Sequence, residues 1–230
     1  TGAIYGCSYV MRGSNFLEKV FFSSSPLTAG AAIIAETNNF MLRGLAFYSS
    51  AITDSYLRLH NNWLDGGRYY SCSGATCLFN GFSLASSRVY RSLLDLESNT
   101  IVSGQRYGMY IDSASNLMAD SVLHLKNNTM IATYSSYDGA QIHLTGGRVV
   151  WEPSNVVRGD VYIYSTTTMV NSLIAIHNSP QIRQFYIYVV TEISNSAIEL
   201  VNSGLSNTFY LYTPKFTNSN GTVKGSTMVS

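Results

Sequence analysis

The sequence predicts an all-β solenoid, a chain wound into stacked coils of short strands, and three observations lead to it. The first is an internal repeat: SLIAIHNSPQIRQFYIYV, from Ser172 to Val189, recurs as SAIELVNSGLSNTFYLYT, from Ser196 to Thr213, without a gap at an offset of 24 residues. Asn171/Asn195, Ser172/Ser196, Ile174/Ile198, Asn178/Asn202, Ser179/Ser203, Phe185/Phe209, Tyr186/Tyr210 and Tyr188/Tyr212 all coincide. A period of this length belongs to units that cannot bury their apolar faces alone and must stack. The second is alternation of apolar and polar residues inside each unit, which gives a strand one buried and one solvated face. The third is that no stretch carries the apolar stripe of an amphipathic helix of about three turns.

The elements follow in order. Asn15-Phe16 and Asn39-Phe40 are 24 residues apart and extend the period toward the start. LRLHNNWL from Leu57, LDLESNTI from Leu94 and LHLKNNTM from Leu123 each pair alternating leucines with an Asn turn, at spacings of 37 and 29 that imply insertions between coils. The longest insertion is DGGRYYSCSGATCLFNGF, from Asp65 to Phe82. IAIHNS at Ile174 and IELVNS at Ile198 continue the series. Leu57/Leu59, Leu94/Leu96, Leu123/Leu125 and Ile174/Ile176 are expected to point inward, with Asn62, Asn99 and Asn128 stacked as an amide ladder at the turns. A second strand family follows the Asn turn: YGMYID at Tyr107, DGAQIHL at Asp138, VYIYS at Val161, FYIYV at Phe185 and FYLYT at Phe209. The expectation is one domain spanning residues 1–230, a coil of eight or nine rungs.

Composition narrows the function classes. The 230 residues are 46% hydrophobic and 12% charged with a net charge of +1, so no basic excess points to nucleic acid as a partner. No run of 18 apolar residues reads as a membrane span, and no leader segment is visible at the start. The chain begins at Thr1 rather than Met and ends in the loop-like NSNGTVKGSTMVS, which reads as a fragment or processed product of a longer chain. Cys7, Cys72 and Cys77 are an odd count; Cys72 and Cys77 could pair across a short loop, and no neighbouring His or Cys completes a zinc set. Neither a metal nor another cofactor is expected.

Asn38 to Leu45 (NNFMLRGL) and the LxLxxN rungs resemble the right-handed parallel β-helix of the pectin-lyase-like superfamily, and the uncharged, Ser/Asn/Tyr-rich texture is most similar to the β-helical part of bacteriophage tailspikes. The resemblance implies a virion-tail or extracellular homotrimer that binds, and in many members cleaves, bacterial surface polysaccharide. The alternatives it leaves are a non-enzymatic receptor-binding or adhesin module and a secreted polysaccharide lyase, because a fold does not fix a function.

Equivalent positions on successive rungs lie about 4.8 Å apart, so the register becomes surface columns. One outward column reads Arg58, Asp95, His124, Ala175, Glu199, and the next His60, Glu97, Lys126, His177, Val201. Two readings stand: a solvated face of mixed charge, or a polysaccharide groove in which Asp95 and Glu97 are the acid and base of glycoside hydrolysis. Residues i and i+2 on a strand sit about 6 to 7 Å apart, compatible with such a pair. Arg58, His60, His124, Lys126 and His177 would orient sugars or neutralise their carboxylates. A lyase would instead need a cation and a base, which Lys126 with His124 or a tyrosine could supply. Asp54, Asp65, Asp112 and Asp138 are further carboxylates that turns could bring to a site. In the second family, Tyr162, Tyr186, Tyr210 and Tyr164, Tyr188, Tyr212 alternate outward as two columns. They would stack sugars, chiefly through Tyr186 and Tyr188, or face another subunit; the interface is favoured because so large an aromatic patch seldom stays bare.

Overall fold

The computed structural model of the chain describes residues 3–16, 20–37, 39–41, 44–48, 50–66, 81–85, 87–103, 108–111, 116–118, 120–132, 138–145 and 147–228. Cys72, Cys77, Asp112 and most of the 65–82 insertion lie outside them. Every described ordered element is a strand. The strands assemble into sheets of 19, nine and three strands, with parallel pairing from one coil to the next. This is a parallel β-solenoid. The nine-stranded sheet contributes one strand per coil, from Ser8–Arg12 through Tyr56–His60, Leu93–Glu97, Val122–Lys126 and Arg148–Trp151 to Asn220–Lys224.

The expected inward residues are inward. Leu57, Leu59, Leu94, Leu96, Leu123, Leu125, Ile174 and Ile176 have no exposed surface, and Val161, Ile163, Phe185 and Ile187 close the core from the other side. One apolar cluster runs from Met11 to Leu205, with Phe209 and Leu211 partly buried against its end. At the turns the amide ladder is continuous over five coils: the Nδ2 groups of Asn39, Asn62, Asn99 and Asn128 donate to the Oδ1 of Asn62, Asn99, Asn128 and Asn155 at 2.9 to 3.0 Å. Beyond Asn155 serine takes over, Ser179 N–H donating to Ser203 Oγ at 3.2 Å and Ser203 N–H to Ser226 Oγ at 3.2 Å. A second corner carries serine in most coils, with the Ser55 N–H donating to Ser92 Oγ and the Ser172 N–H to Ser196 Oγ. At five ladder positions the preceding residue bends the chain through the left-handed region: Asn61, Ser98, Asn127, Asn178 and Asn202 have φ of 58°, 57°, 52°, 51° and 48°. Asn tolerates that conformation best among residues with a side chain, so the recurrent Asn-Asn and Asn-Ser dipeptides encode the corner twice over, once for the bend and once for the ladder.

Two registers differ from expectation. Asn15 pairs with Phe40 and Phe16 with Met41, because Ser14, not Asn15, occupies the ladder position and donates to Asn39 Oδ1. Further on, Arg148–Trp151 is a rung of its own. It pairs with Val122–Lys126 on one side and with Leu173–His177 on the other, Val150 with Leu173 and Trp151 with Ile174.

Where no insertion intervenes, two strands of the coil fuse. Val156–Ser165 pairs with both Thr129–Ala132 and Asp138–Thr145, and the former corner survives as a shift of register between Gly159 and Val161. Gly159, at φ 117°, allows that geometry. Asp160 fills the bulge with a fully buried carboxylate that accepts from Arg183 Nε at 2.9 Å and from the Gln184 N–H at 3.0 Å, satisfying an amide of the next coil.

Candidate functional site

The outward side chains of the nine-stranded sheet carry the site. Tyr56–His60, Leu93–Glu97 and Val122–Lys126 stack in register, so Arg58, Asp95 and His124 form one column and His60, Glu97 and Lys126 the next. The columns drawn from sequence hold over these three rungs and then break. Val150, not Ala175, follows His124, Ala175 is buried, and His177 forms a separate pair with Glu199 at 3.0 Å. His177 is therefore on the same sheet as the Asp95 cluster but not part of it.

Asp95 is the hub. Tyr56 Oη donates to its Oδ2 at 3.1 Å, and His124 Nδ1 lies 2.9 Å from its Oδ1. The other ring nitrogen of His124, Nε2, lies 2.8 Å from Glu152 Oε1. A neutral imidazole has one donor and one acceptor nitrogen, so contact with a carboxylate on each side requires the doubly protonated ring. Burial alone would lower the His124 pKa, but the hydrogen bonds to Glu152 and Asp95 outweigh it and hold the value above that of ordinary imidazole. Burial, then the Asp95 charge and hydrogen bond, push the Tyr56 phenol up to about 12, so it stays a donor. Glu97 pairs with Lys126 at 3.1 Å. His60 stands between Glu36 and Glu97 in the ladder. Arg58 is half-buried and its Nε has no hydrogen-bond partner.

Beside Tyr56, at the start of the same strands, runs an open groove lined by Gly30, Asp54, Tyr56, Arg91, Leu93 and Asp120 among others. Arg91 Nε and Nη2 grip the two Asp54 oxygens at 2.6 Å each, and the guanidinium lies 4.4 Å over the Tyr90 ring. The Arg91 hydrogen bond holds the Asp54 carboxyl below the usual range. Asp65 ends the strand Trp63–Asp65, and the Asp138 backbone pairs with Asp160; both belong to the 19-stranded sheet, away from the Asp95 strip.

The tyrosine columns stack as the repeat requires, Tyr162 with Tyr186 and Tyr210, and Tyr164 with Tyr188 and Tyr212. The rings of Tyr186 and Tyr210 stack nearly parallel with centroids 4.5 Å apart, those of Tyr188 and Tyr212 at 4.8 Å, and those of Tyr164 and Tyr188 at 5.2 Å. Rings packed face to face along the axis cover one another's faces. Burial, followed by the neighbouring phenols, raises the pKa of Tyr186 and Tyr188.

Glu152 is the functional candidate that sequence reasoning missed, and the buried Asp160–Arg183 pair is its structural counterpart. The signal was partial: Asn155 continues the ladder, but RVVWE at Arg148 carries apolar Val150 at its outward position, which masks the alternation. Among the described residues no group of three or more His, Cys, Asp or Glu could hold a metal ion, and no helix is long and apolar enough to cross a membrane. No protein-family model matches the chain, and comparison with curated proteins finds no match.

Proposed function

We propose that this solenoid is a host-recognition element of phage tailspike or tail-fibre type, displayed on the virion tail, that binds bacterial surface polysaccharide along its nine-stranded sheet. The observation that carries the reading is the uncovered polar strip in which Tyr56, Asp95, His124, Glu97 and Lys126 adjoin an open groove running along the solenoid axis. Such a strip offers fixed donors and acceptors at rung spacing beside aromatic and apolar walls, which is what a repeating polyhydroxylated chain requires.

Binding is favoured over cleavage by the hydrogen bonding of the two carboxylates. Asp95 accepts from Tyr56 and His124, and Glu97 is paired with Lys126. A carboxyl group that delivers a proton to a leaving oxygen is not already ringed by donors. Hydrolysis remains the second reading, supported by two carboxylates on one outward face of a single strand. For assembly we propose a homotrimer with the tyrosine columns toward the axis, since a sugar stack needs open ring faces and these rings cover each other.

The test is retention of the protein on surface polysaccharides from a panel of Gram-negative hosts, with product analysis for new reducing ends or an unsaturated sugar. Retention without products supports the receptor-binding module. If products form, Asp95→Asn and Glu97→Gln should each cut turnover at least about 100-fold while retention persists; near-normal cleavage by both removes that pair from the mechanism. No retention on any member sinks the proposal.

A further inference from the structure

We infer that the groove beside Tyr56 is the polysaccharide subsite, and that it takes an uncharged stretch of about three sugars laid along the solenoid axis, three rung intervals of about 4.8 Å in length. The inference rests on the polysaccharide-binding reading and specifies where the chain lies and of what class it is.

The groove crosses four successive coils. Gly30 precedes Ala32–Glu36, Asp54 precedes Tyr56–His60, Arg91 precedes Leu93–Glu97, and Asp120 precedes Val122–Lys126. These are corner residues with positive φ, namely 78° at Gly30, 50° at Asp54, 44° at Arg91 and 64° at Asp120. Asp54, Arg91 and Asp120 bring polar side chains to the lining at these corners. Two residues further on, Tyr56, Leu93 and Val122 pair in register as a second column of the lining, and Leu93 is 37% exposed. Tyr56 is fixed by its hydrogen bond to Asp95, so this wall is preformed. A polar column beside a largely apolar one matches the hydroxyl edge and C–H face of a pyranose.

Charge decides the class. The one guanidinium in the lining, Arg91, is consumed twice over by Asp54. Asp120 adds an exposed carboxylate that no cation of the lining balances. Lys126 is paired with Glu97, and Arg58 is not among the lining residues. A uronate or sialate would bring a second anion into this trough and meet no free partner, whereas sugar hydroxyl and acetamido groups can donate to Asp54 and Asp120.

The experiment measures affinity of the intact chain for O-antigen polysaccharides of neutral repeat and for uronate-containing capsular polysaccharides, the latter both native and carboxyl-reduced, by calorimetry. Neutral and carboxyl-reduced forms should bind, and fragments graded from monosaccharide to hexasaccharide should gain affinity up to the tri- or tetrasaccharide and then level off. Leu93→Trp fills the groove from an exposed position and should weaken binding at least about tenfold; Tyr56→Ala, which only removes atoms from the wall, should do likewise. The inference is overturned if both variants bind as the parent does, or if native uronate chains bind more tightly than their reduced forms, and in either case the general polysaccharide reading survives. Failure of the parent to bind any of these chains overturns both.

Discussion

Replacing Asn99 with alanine tests the internal ladder, because every bond that is lost can be counted. Asn99 is 1% exposed. Its Oδ1 accepts from the Asn62 N–H and Nδ2, both at 3.0 Å, and its Nδ2 donates to Leu59 O at 2.8 Å and to Asn128 Oδ1 at 3.0 Å. After truncation, Asn62 Nδ2 keeps its bond to Ala35 O and Asn128 Oδ1 keeps the Asn99 N–H. The Asn62 N–H is left buried with no acceptor, at a cost of about 1–3 kcal/mol, and the lost bond to Leu59 adds about 1 kcal/mol. Asn99→Ala should therefore destabilise by about 2–4 kcal/mol. Asn99→Ser should cost roughly half as much, because a serine hydroxyl already accepts the equivalent amide where Ser179 N–H meets Ser203 Oγ. Urea unfolding reads the totals, and hydrogen exchange at the Asn62 amide reads the orphan directly. An Asn99→Ala protein within about 0.5 kcal/mol of the parent, with the Asn62 amide still protected, would refute the idea that the ladder holds the coils together.

Three further outcomes are expected. His124 has a folded pKa above its unfolded value, so its contribution to stability is complete below the unfolded imidazole pKa and is lost as pH rises through the raised one; His124→Gln should flatten the stability–pH curve in that window, and an unchanged curve would contradict the Asp95–His124–Glu152 bridge. Arg183→Met strands the fully buried Asp160 carboxylate and should cost about 3–5 kcal/mol by chemical denaturation, whereas a loss below about 1 kcal/mol would show that the Gln184 amide alone suffices. Tyr186→Asp combined with Tyr188→Asp should dissociate an oligomer on a sizing column if the columns face a symmetry axis; an oligomer of unchanged mass that no longer binds glycan would return the ladder to sugar stacking.

What the sequence determined by itself is the repeating part: strands, inward leucines, the asparagine ladder and the tyrosine columns. These are legible because a strand alternates with a period of two and a solenoid sets the same position above itself every coil, so a local pattern and its copy fix the contact. Asp95, Glu97, His124 and Lys126 were legible for the same reason, since Leu57, Leu94 and Leu123 bring three rungs into one register. Tertiary structure decided whatever depends on corner length. Three residues, Glu152, Pro153 and Ser154, separate Trp151 from Asn155, against two, Lys126 and Asn127, between Leu125 and Asn128. Glu152 follows Trp151, which pairs with Leu125, and so reaches His124; beyond it the register slides by two residues, Trp151 pairing with Ile174 where an even register would set it beside Ile176, and His177 leaves the cluster. The groove likewise belongs to no strand pattern: it exists because four corner residues from distant parts of the chain bend alike, and only the stacking of coils sets them side by side.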